Sequence, residues 1–221
     1  MRYYPVNLDI KGRPCLVVGG GSVGFRKVKT LLACSAQVTV VSPEITLRLK
    51  ELVENGAVRW CARGYRDSDL AEVFLVIGAT DDEKLNEQVS RDASRLNLLC
   101  NIADRPAACN FILPAIIERG DMVIAISTSG RSPAFAKQLR KELEKQFGEE
   151  YTKLLQLMGA IRDKLLAEAH EPEAHKPLFE KLISGDLLVR IKEKDTDGIN
   201  QLLRETLGTG YELDHLVGTN W

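Results

Sequence analysis

Three glycines form a Gly-x-Gly-x-x-Gly pattern at positions 19, 21 and 24, directly after the apolar residues 15–18. This order is typical of a dinucleotide-binding turn, in which a buried strand leads through the glycines into a helix. We expect Gly19 to allow the sharp turn, Gly21 to let a pyrophosphate approach the backbone, and Gly24 to bring the helix close to the strand. The helix N-terminus would attract the pyrophosphate. A glycine turn without a ligand is the alternative.

Two further positions bear on the cofactor. Ser42 follows the predicted second strand, at the place where NAD-type folds carry a group that binds the ribose hydroxyls. No Lys or Arg comes directly after it, and this absence of a basic residue favours NAD over NADP. Small residues at the end of the predicted strand 73–80 leave room for a cofactor. The residues predicted to bind the cofactor are Gly19, Gly21, Ser22, Val23, Gly24, Ser42, Pro43 and Thr80.

Asp104 is the candidate catalytic residue. It lies just past residues 98–102, a predicted fifth strand, and doubly wound folds bind their ligands at the carboxyl ends of the strands. A carboxylate there could accept a proton while a hydride leaves the substrate. The alternative is an Asp that caps the turn before Pro106, which is common turn chemistry.

A second polar group extends from Ser127 to Pro133 and precedes a predicted helix. Its hydroxyls, a glycine and Arg131 could hold a carboxylate or phosphate. The alternative is a polar loop in which Ser132 caps the helix. Basic residues on that helix, Lys137, Arg140 and Lys141, could extend the site towards a polyanion or could simply form a solvated helix face.

The elements that would position these residues alternate between strand and helix. Apolar runs at 15–18, 36–41, 58–62, 73–80 and 98–102 predict five strands separated by helices, and therefore a doubly wound parallel sheet of the Rossmann type. Residues 6–10 alternate as an edge strand or arm would, and Asp81 could cap the helix 83–96. Beyond Asp104, runs at 111–117 and 122–127 predict a hairpin, followed by a helix at 134–147 and by a mostly helical tail.

Composition excludes several classes of protein. The 221 residues include 30 Lys and Arg and 31 Asp and Glu, a net charge of −1, which gives no reason to expect nucleic acid or a membrane surface as partner. The sequence shows no apolar signal region and no stretch long enough to span a membrane, so we expect a cytoplasmic protein. Five cysteines without a CxxC pair, and the histidines His170, His175 and His215 without ligand spacing, predict neither disulfides nor a metal site. We expect His170 and His175 to lie on the surface.

A set of widely spaced motifs lies within residues 3–150. The motifs are Pro5-Val6-x-Leu8, Cys15-Leu16-Val17-Val18-Gly19-Gly20-Gly21, Ala79-Thr80-Asp81-Asp82, Asn86, Cys100-Asn101, Asp104, Phe111-Ile112-x-Pro114, Ile126-Ser127-Thr128-Ser129-Gly130-x-Ser132-Pro133 and Leu139-Arg140. Together they resemble the precorrin-2 dehydrogenase family of siroheme synthesis. The resemblance implies NAD-dependent oxidation of precorrin-2 to sirohydrochlorin and, in some members, insertion of ferrous iron to give siroheme; the metal could also be cobalt, if the product feeds cobalamin synthesis.

The resemblance also assigns roles. It implies that Asp104 is the key catalytic residue, and that Thr128 replaces a serine that can be phosphorylated in the bacterial fusion enzyme. It implies a homodimer, and a division into an NAD-binding Rossmann domain at 1–112, a dimerisation region at 113–149 and a helical domain at 150–221. Because precorrin-2 carries many carboxylates, the predicted substrate contacts are Arg105, Ser127, Thr128, Ser129, Arg131, Lys137 and Arg140.

Two other functions use the same fold. One is an NAD-sensing regulatory module, although no basic recognition helix is evident as an output surface. The other is a different NAD(P)-dependent reductase. No resident metal is expected, and any iron taken up as substrate would be held transiently by Asp104 and the macrocycle.

Overall fold

The computed structural model describes residues 2–168, 172–218 and 221. It divides the chain into two compact units, Met1–Leu113 and Pro114–Trp221. Each unit buries its own clusters of apolar side chains. The predicted boundaries at 112/113 and 149/150 remain predictions, since the hairpin and the helical tail fall within one unit.

The first unit contains a five-stranded sheet in the order β3-β2-β1-β4-β5, with every neighbouring pair parallel. This order reverses at β1 and β4, and ligands of such sheets bind in the crevice at the carboxyl ends of the strands there. The predicted Rossmann-type sheet is therefore confirmed. Its strands are β1 (Pro14–Val18), β2 (Gln37–Val41), β3 (Val58–Cys61), β4 (Leu75–Gly78) and β5 (Leu99–Ile102).

Helices cover both faces of this sheet, which is why its strands are apolar throughout rather than alternating. Val28 and Leu31 of α1 (Ser22–Ala33) pack on one face, together with Leu49 of α2 (Leu47–Glu54). Val89 and Ala93 of α3 (Glu83–Arg95) pack in the other cluster.

The structure decides one open alternative in this unit and corrects one prediction. Residues 6–10 form no strand, which leaves the alternative of an arm before β1, the strand that begins at Pro14. The N-cap of α3 is Asp82 rather than Asp81, because the Asp82 carboxylate accepts the N–H groups of Lys84 and Leu85 at 2.9 and 3.1 Å. A 3₁₀ turn at Asp67–Leu70 precedes β4, and Glu72 has a left-handed backbone (φ 61°) just after it.

The second unit begins with the predicted hairpin, β6 (Ala115–Arg119) and β7 (Met122–Ile126), which pair antiparallel. Pro114 precedes β6 instead of lying within it, because a proline has no N–H to give to a partner strand. The Ser132 hydroxyl accepts the N–H of Phe135 at 3.2 Å and caps α4 (Pro133–Leu143), as predicted. Residues 144–147, predicted to be helical, lie beyond the end of α4.

Helices complete the second unit around an apolar core that includes Leu157, Leu182 and Leu203. The tail was predicted to be mostly helical, and the last short helix was not foreseen. None of the described helices combines the length and the apolar composition that crossing a bilayer requires. The helices are α5 (Glu150–Ala167), α6 (Pro172–Ser184), α7 (Leu187–Glu193), α8 (Thr196–Leu207) and α9 (Leu213–Val217).

The histidines differ from expectation. His175 is only 6% exposed, so the prediction of a surface residue is wrong. It lies on α6, which begins at Pro172, and this helix turns His175 inward. His215 is exposed and lies 3.4 Å from the Glu212 carboxylate. His170 lies outside the described residues.

Candidate active site

The glycine turn has two crowded positions. Gly19 has a left-handed backbone (φ 117°), and a Cβ there would lie 2.4 Å from the carbonyl oxygen of Ala79, which follows β4. A Cβ at Gly24 would lie 2.2 Å from the Gly19 carbonyl oxygen. These two glycines therefore let β1, β4 and α1 meet at the switch point of the sheet.

Gly21 is different, because a Cβ built there would meet nothing within 4 Å. It is the N-cap of α1, no described side chain caps this helix, and its first turn carries no acidic residue. The first helical N–H to be used is that of Phe25, which donates to the Gly21 carbonyl at 2.9 Å. The N–H groups of Ser22, Val23 and Gly24 are therefore available to an anionic group, as the sequence predicts.

The predicted ribose position, Ser42, follows β2 directly and is half-buried. Its carbonyl accepts the indole N–H of Trp60 at 2.9 Å, and its own N–H donates to Cys61 at 3.3 Å. These two bonds hold the backbone after β2 against β3. The hydroxyl of Ser42, followed by Pro43, is left at the carboxyl edge of the sheet.

Thr80, at the end of β4, is held by a residue to which the sequence analysis gave no role. The buried Asn86 donates from Nδ2 to the Thr80 carbonyl at 2.8 Å, and the Thr80 hydroxyl accepts the N–H of Asp82 at 3.1 Å. Oδ1 of Asn86 faces Gly78, where an added Cβ would lie 2.9 Å away. Asn86 therefore shapes the crevice after β4. Its place among the sequence motifs was the one indication that this residue has a role.

Asp104 lies two residues after β5 and is exposed. Its backbone is left-handed (φ 59°), a conformation that Asp tolerates better than most residues. Among the described residues, no group donates a hydrogen bond to its carboxylate. The carboxylate is thus open to a substrate rather than used as a cap for the following turn.

The loop that carries Asp104 is tied down on both sides. Cys109 Sγ accepts the Ile102 N–H at 3.1 Å and lies 3.1 Å from the Arg105 carbonyl oxygen. The Asn110 side chain accepts the Cys100 N–H at 2.8 Å and donates to the Leu98 carbonyl at 2.7 Å. Burial raises the pKa of the Cys109 thiol, which keeps it in the neutral form that suits these contacts.

Arg105, predicted to contact substrate, already has protein partners. Its guanidinium lies 2.8 Å from the Glu83 carboxylate and 3.2 Å from that of Glu87, both on α3. The pairs anchor the Asp104 loop to α3. A substrate carboxylate would have to share this guanidinium with two acids, so its role in substrate binding remains a prediction.

The polar group at 127–132 lies in the second unit. Its hydroxyls are used within the loop: Ser127 Oγ accepts the Ser129 N–H at 3.1 Å, and Thr128 Oγ1 accepts the Ser132 N–H at 3.2 Å. Each hydroxyl keeps its own proton to donate. Ser129 has a left-handed backbone (φ 54°), so this loop, like that of Asp104, carries a residue in a sparsely populated conformation.

The basic residues near this loop fall into two groups. Arg131 and Lys137 are exposed, and neither has an ion-pair partner in the described part of the chain. Arg140 is half-buried and paired with Glu144 one turn along α4. The first two are therefore the better candidates for a substrate carboxylate.

Two family models match the chain. An NAD(P)-binding family matches residues 6–115, and the sirohaem biosynthesis protein central family matches residues 119–146. In both regions the chain is thus similar to the siroheme synthase family.

Individual relatives agree with this. Siroheme synthase of Vesicomyosocius okutanii is 37% identical over 191 residues, which cover 86% of this chain and 41% of the relative. Siroheme synthase of Thioalkalivibrio sulfidiphilus is 36% identical over 212 residues, 96% of this chain and 43% of the relative. This chain thus spans about two fifths of the length of these curated relatives. The solved structure of SirC, a precorrin-2 dehydrogenase, is 28% identical with a TM-score of 0.78 and covers 92% of this chain and 98% of SirC.

One residue was missed altogether. Lys27, on α1, is half-buried. Burial, and then the positive charge of Arg26, lower the pKa of its ammonium group, whereas the nearby Asp104 raises it. The sequence held a signal: Lys27 lies four residues from Val23 and four from Leu31, on the stripe of α1 that faces the protein.

The described residues contain no group of three or more His, Cys, Asp or Glu side chains that could hold a metal ion. A cavity of about 510 Å³ is lined by Arg13, Phe74 and Leu99 among others, at the amino-terminal ends of the strands. It lies at the edge of the sheet opposite to the glycine turn, so it is separate from the residues described above.

Proposed function

We propose that this chain catalyses the NAD-dependent dehydrogenation of precorrin-2 to sirohydrochlorin, in siroheme or cobalamin biosynthesis. One observation carries the proposal: an uncapped helix N-terminus behind the open Gly21 and an unpaired carboxylate, Asp104, both lie at the carboxyl edge of one parallel sheet. The first feature suits a dinucleotide, and the second suits proton removal.

The cradle fits NAD. The N–H groups at the start of α1 would bind the pyrophosphate, the Ser42 hydroxyl would bind a ribose hydroxyl, and Thr80 would line the crevice after β4. Residues 42–46 carry no basic side chain for a ribose phosphate, which favours NAD over NADP. Bound NAD supplies the hydride acceptor.

Asp104 would accept the proton that leaves the macrocycle as the hydride departs. The contacts of Cys109 and Asn110 hold its loop in place, so little reorganisation is needed at that step. Of the basic residues, the unpaired Arg131 and Lys137 would bind substrate carboxylates, assisted by the hydroxyl of Thr128. The paired Arg105 and Arg140 would contribute less.

We also propose a homodimer. One face of the hairpin packs against α4 through Ile117 and Ile126, whereas Ile116 and Val123 on the other face are 40% and 52% exposed. Two strands alone are marginally stable in water, and an apolar outer face favours a partner. A second copy of this chain would cover the region 113–149, which the resemblance implies for dimerisation.

Insertion of ferrous iron or cobalt remains a prediction from the resemblance, with Asp104 as the protein group involved, and so does a cytoplasmic location. The modification implied for the serine that Thr128 replaces also remains untested.

The test is anaerobic absorbance spectroscopy of the purified chain with precorrin-2. We expect conversion to sirohydrochlorin only when NAD is present, and we expect Asp104→Ala to abolish it while NAD still binds. Ferrous iron added afterwards tests the metal step against an enzyme-free control. If NAD binds and precorrin-2 stays unchanged, the NAD-sensing module or another reductase is the better assignment.

A further inference from the structure

Residues 42–46, the segment between β2 and α2, are tied to neighbouring backbone at both ends. At one end the Ser42 N–H donates to the Cys61 carbonyl at 3.3 Å, and at the other the Thr46 N–H donates to the Gly20 carbonyl at 3.0 Å. Cys61 ends β3 and Gly20 belongs to the glycine turn. The β2–α2 segment therefore joins two parts of the carboxyl edge of the sheet.

This segment also packs directly on the glycine turn. A Cβ at Gly20 would lie 2.1 Å from the Glu44 carbonyl oxygen and 2.8 Å from Cγ2 of Ile45, so no side chain fits between them. Gly20 is buried, whereas the next residue, Gly21, is exposed. The β2–α2 segment is therefore a wall beside the place where the N–H groups of α1 are available to an anionic group.

One side chain reaches this segment from another element. Trp60 lies on β3 beside Val40 of β2, and its indole N–H donates to the Ser42 carbonyl at 2.9 Å. No other side chain of the described residues donates a hydrogen bond to residues 42–46. The half-buried ring also packs against the apolar cluster that includes Leu49 of α2, which fixes the direction of its N–H.

These contacts fix the backbone of Ser42. Its N–H is bound to Cys61 and its carbonyl to Trp60, and the next residue, Pro43, has its φ fixed by the ring. The Cα–Cβ bond of Ser42 therefore projects in one direction. Its hydroxyl forms no hydrogen bond within the described part of the chain, so it is available to a ligand.

We propose that Trp60 is a positioning residue for the cofactor: its indole N–H holds the Ser42 carbonyl, and this contact directs the Ser42 hydroxyl to the adenosine 2′-hydroxyl of NAD. The inference rests on the proposed use of NAD, and it adds a residue that lies outside the glycine motif. Trp60 takes no part in the transfer of the hydride or the proton. It therefore acts on cofactor affinity and leaves the chemical step unchanged.

The test compares Trp60→Phe with the control Trp221→Phe. Phenylalanine keeps an aromatic ring on β3 and removes the N–H. Trp221 is the other tryptophan of the chain, and its indole N–H has no hydrogen-bond partner among the described residues, so the control replaces the same kind of ring without breaking a hydrogen bond. In calorimetric titration with NAD we expect Trp60→Phe to raise Kd about five- to tenfold, the effect of one hydrogen bond, and Trp221→Phe to leave it within about twofold.

A cofactor analogue and a second substitution identify the group through which Trp60 acts. NAD without the adenosine 2′-hydroxyl should bind the unaltered protein more weakly than NAD does, and this difference should disappear in Trp60→Phe. Adding Trp60→Phe to Ser42→Ala should weaken NAD binding no further than Ser42→Ala alone. Losses that multiply in the double variant would mean that Trp60 acts independently of Ser42, and they would overturn the inference.

Kinetics separate positioning from general damage to the fold. With precorrin-2 as substrate, Trp60→Phe should raise the KM for NAD and leave kcat at saturating NAD within about twofold. An unchanged affinity for NAD, or a lowered kcat without a change in affinity, would contradict the proposed role. Trp60→Met, which also lacks the N–H, gives the same comparison if the phenylalanine variant does not fold.

The two proposals fail in different ways. If the unaltered protein binds NAD and does not oxidise precorrin-2, the proposed dehydrogenation is wrong, and the titrations still test Trp60. If it oxidises precorrin-2 and Trp60→Phe binds NAD as tightly as the unaltered protein, only the inference about Trp60 is wrong.

Discussion

Gly21 and Gly24 lie three residues apart in the same turn, yet alanine should have different effects at the two positions. It should lower stability at Gly24 and NAD affinity at Gly21. At Gly24 the added Cβ would lie 2.2 Å from the Gly19 carbonyl oxygen, whereas ordinary contact begins at 3.4 Å. Either α1 or the strand end must therefore move by about 1 Å. Such overpacking costs about 1–3 kcal/mol, so we expect Gly24→Ala to lower the free energy of unfolding by that amount.

Gly21→Ala should leave the fold almost unchanged. Nothing lies within 4 Å of the new Cβ, and the backbone there (φ −79°) is ordinary. Alanine stabilises a protein by restricting the unfolded chain, by about 0.4–1 kcal/mol. It is a poorer N-cap than glycine, at a cost of about 0.5–1 kcal/mol, so the two effects nearly cancel.

NAD affinity should fall in Gly21→Ala, the variant whose stability is almost unchanged. The Gly21→Ala methyl group would occupy the space through which the pyrophosphate reaches the N–H groups of α1. We expect at least a tenfold loss of affinity, about 1.4 kcal/mol, and a larger loss for Gly21→Asp, which adds a negative charge. Urea unfolding measures the free energy of unfolding, and calorimetric titration measures the affinity for NAD. Unchanged NAD affinity in Gly21→Ala would show that the cofactor does not approach here.

Three other variants have specific expected outcomes. Cys109→Ala leaves the Ile102 N–H without its acceptor and should lower the free energy of unfolding by about 1–3 kcal/mol; urea unfolding equal to that of the unaltered protein would refute a structural role for the thiol. Arg131→Gln should raise the KM for precorrin-2 more than Arg140→Gln does, since Arg140 is already paired, and the reverse order would contradict this choice of contacts. Val123→Glu places a charge on the outer face of the hairpin and should convert a dimer into monomers in analytical ultracentrifugation, whereas a dimer that persists would require another interface.

Much of the fold could be predicted because its signals are local. Apolar runs separated by helical spacing indicate a sheet covered on both faces, and the glycine spacing marks the first turn. Ser132 caps α4 through a bond to a residue only three positions away.

The rest depended on contacts between distant residues. The Arg105 pairs with α3 join positions about twenty residues apart, and no spacing rule distinguishes them from a substrate contact. Lys27 is half-buried because its helix packs on the sheet, and the charge of a lysine gives no sign of that. His175 looked polar by its neighbours and is buried by the packing of its helix. Distinguishing Asp82 from Asp81 as the cap required the actual start of α3.

The left-handed backbone of Asp104 restricts this position twice over. Chemistry requires a carboxylate, and the backbone disfavours most side chains by about 1–2 kcal/mol but tolerates Asp and Asn. Glutamate would keep the charge and strain the loop, whereas asparagine would keep the loop and lose the charge. Aspartate alone among the common residues satisfies both demands. Any substitution at this position should therefore lower either the stability of the fold or the rate of turnover.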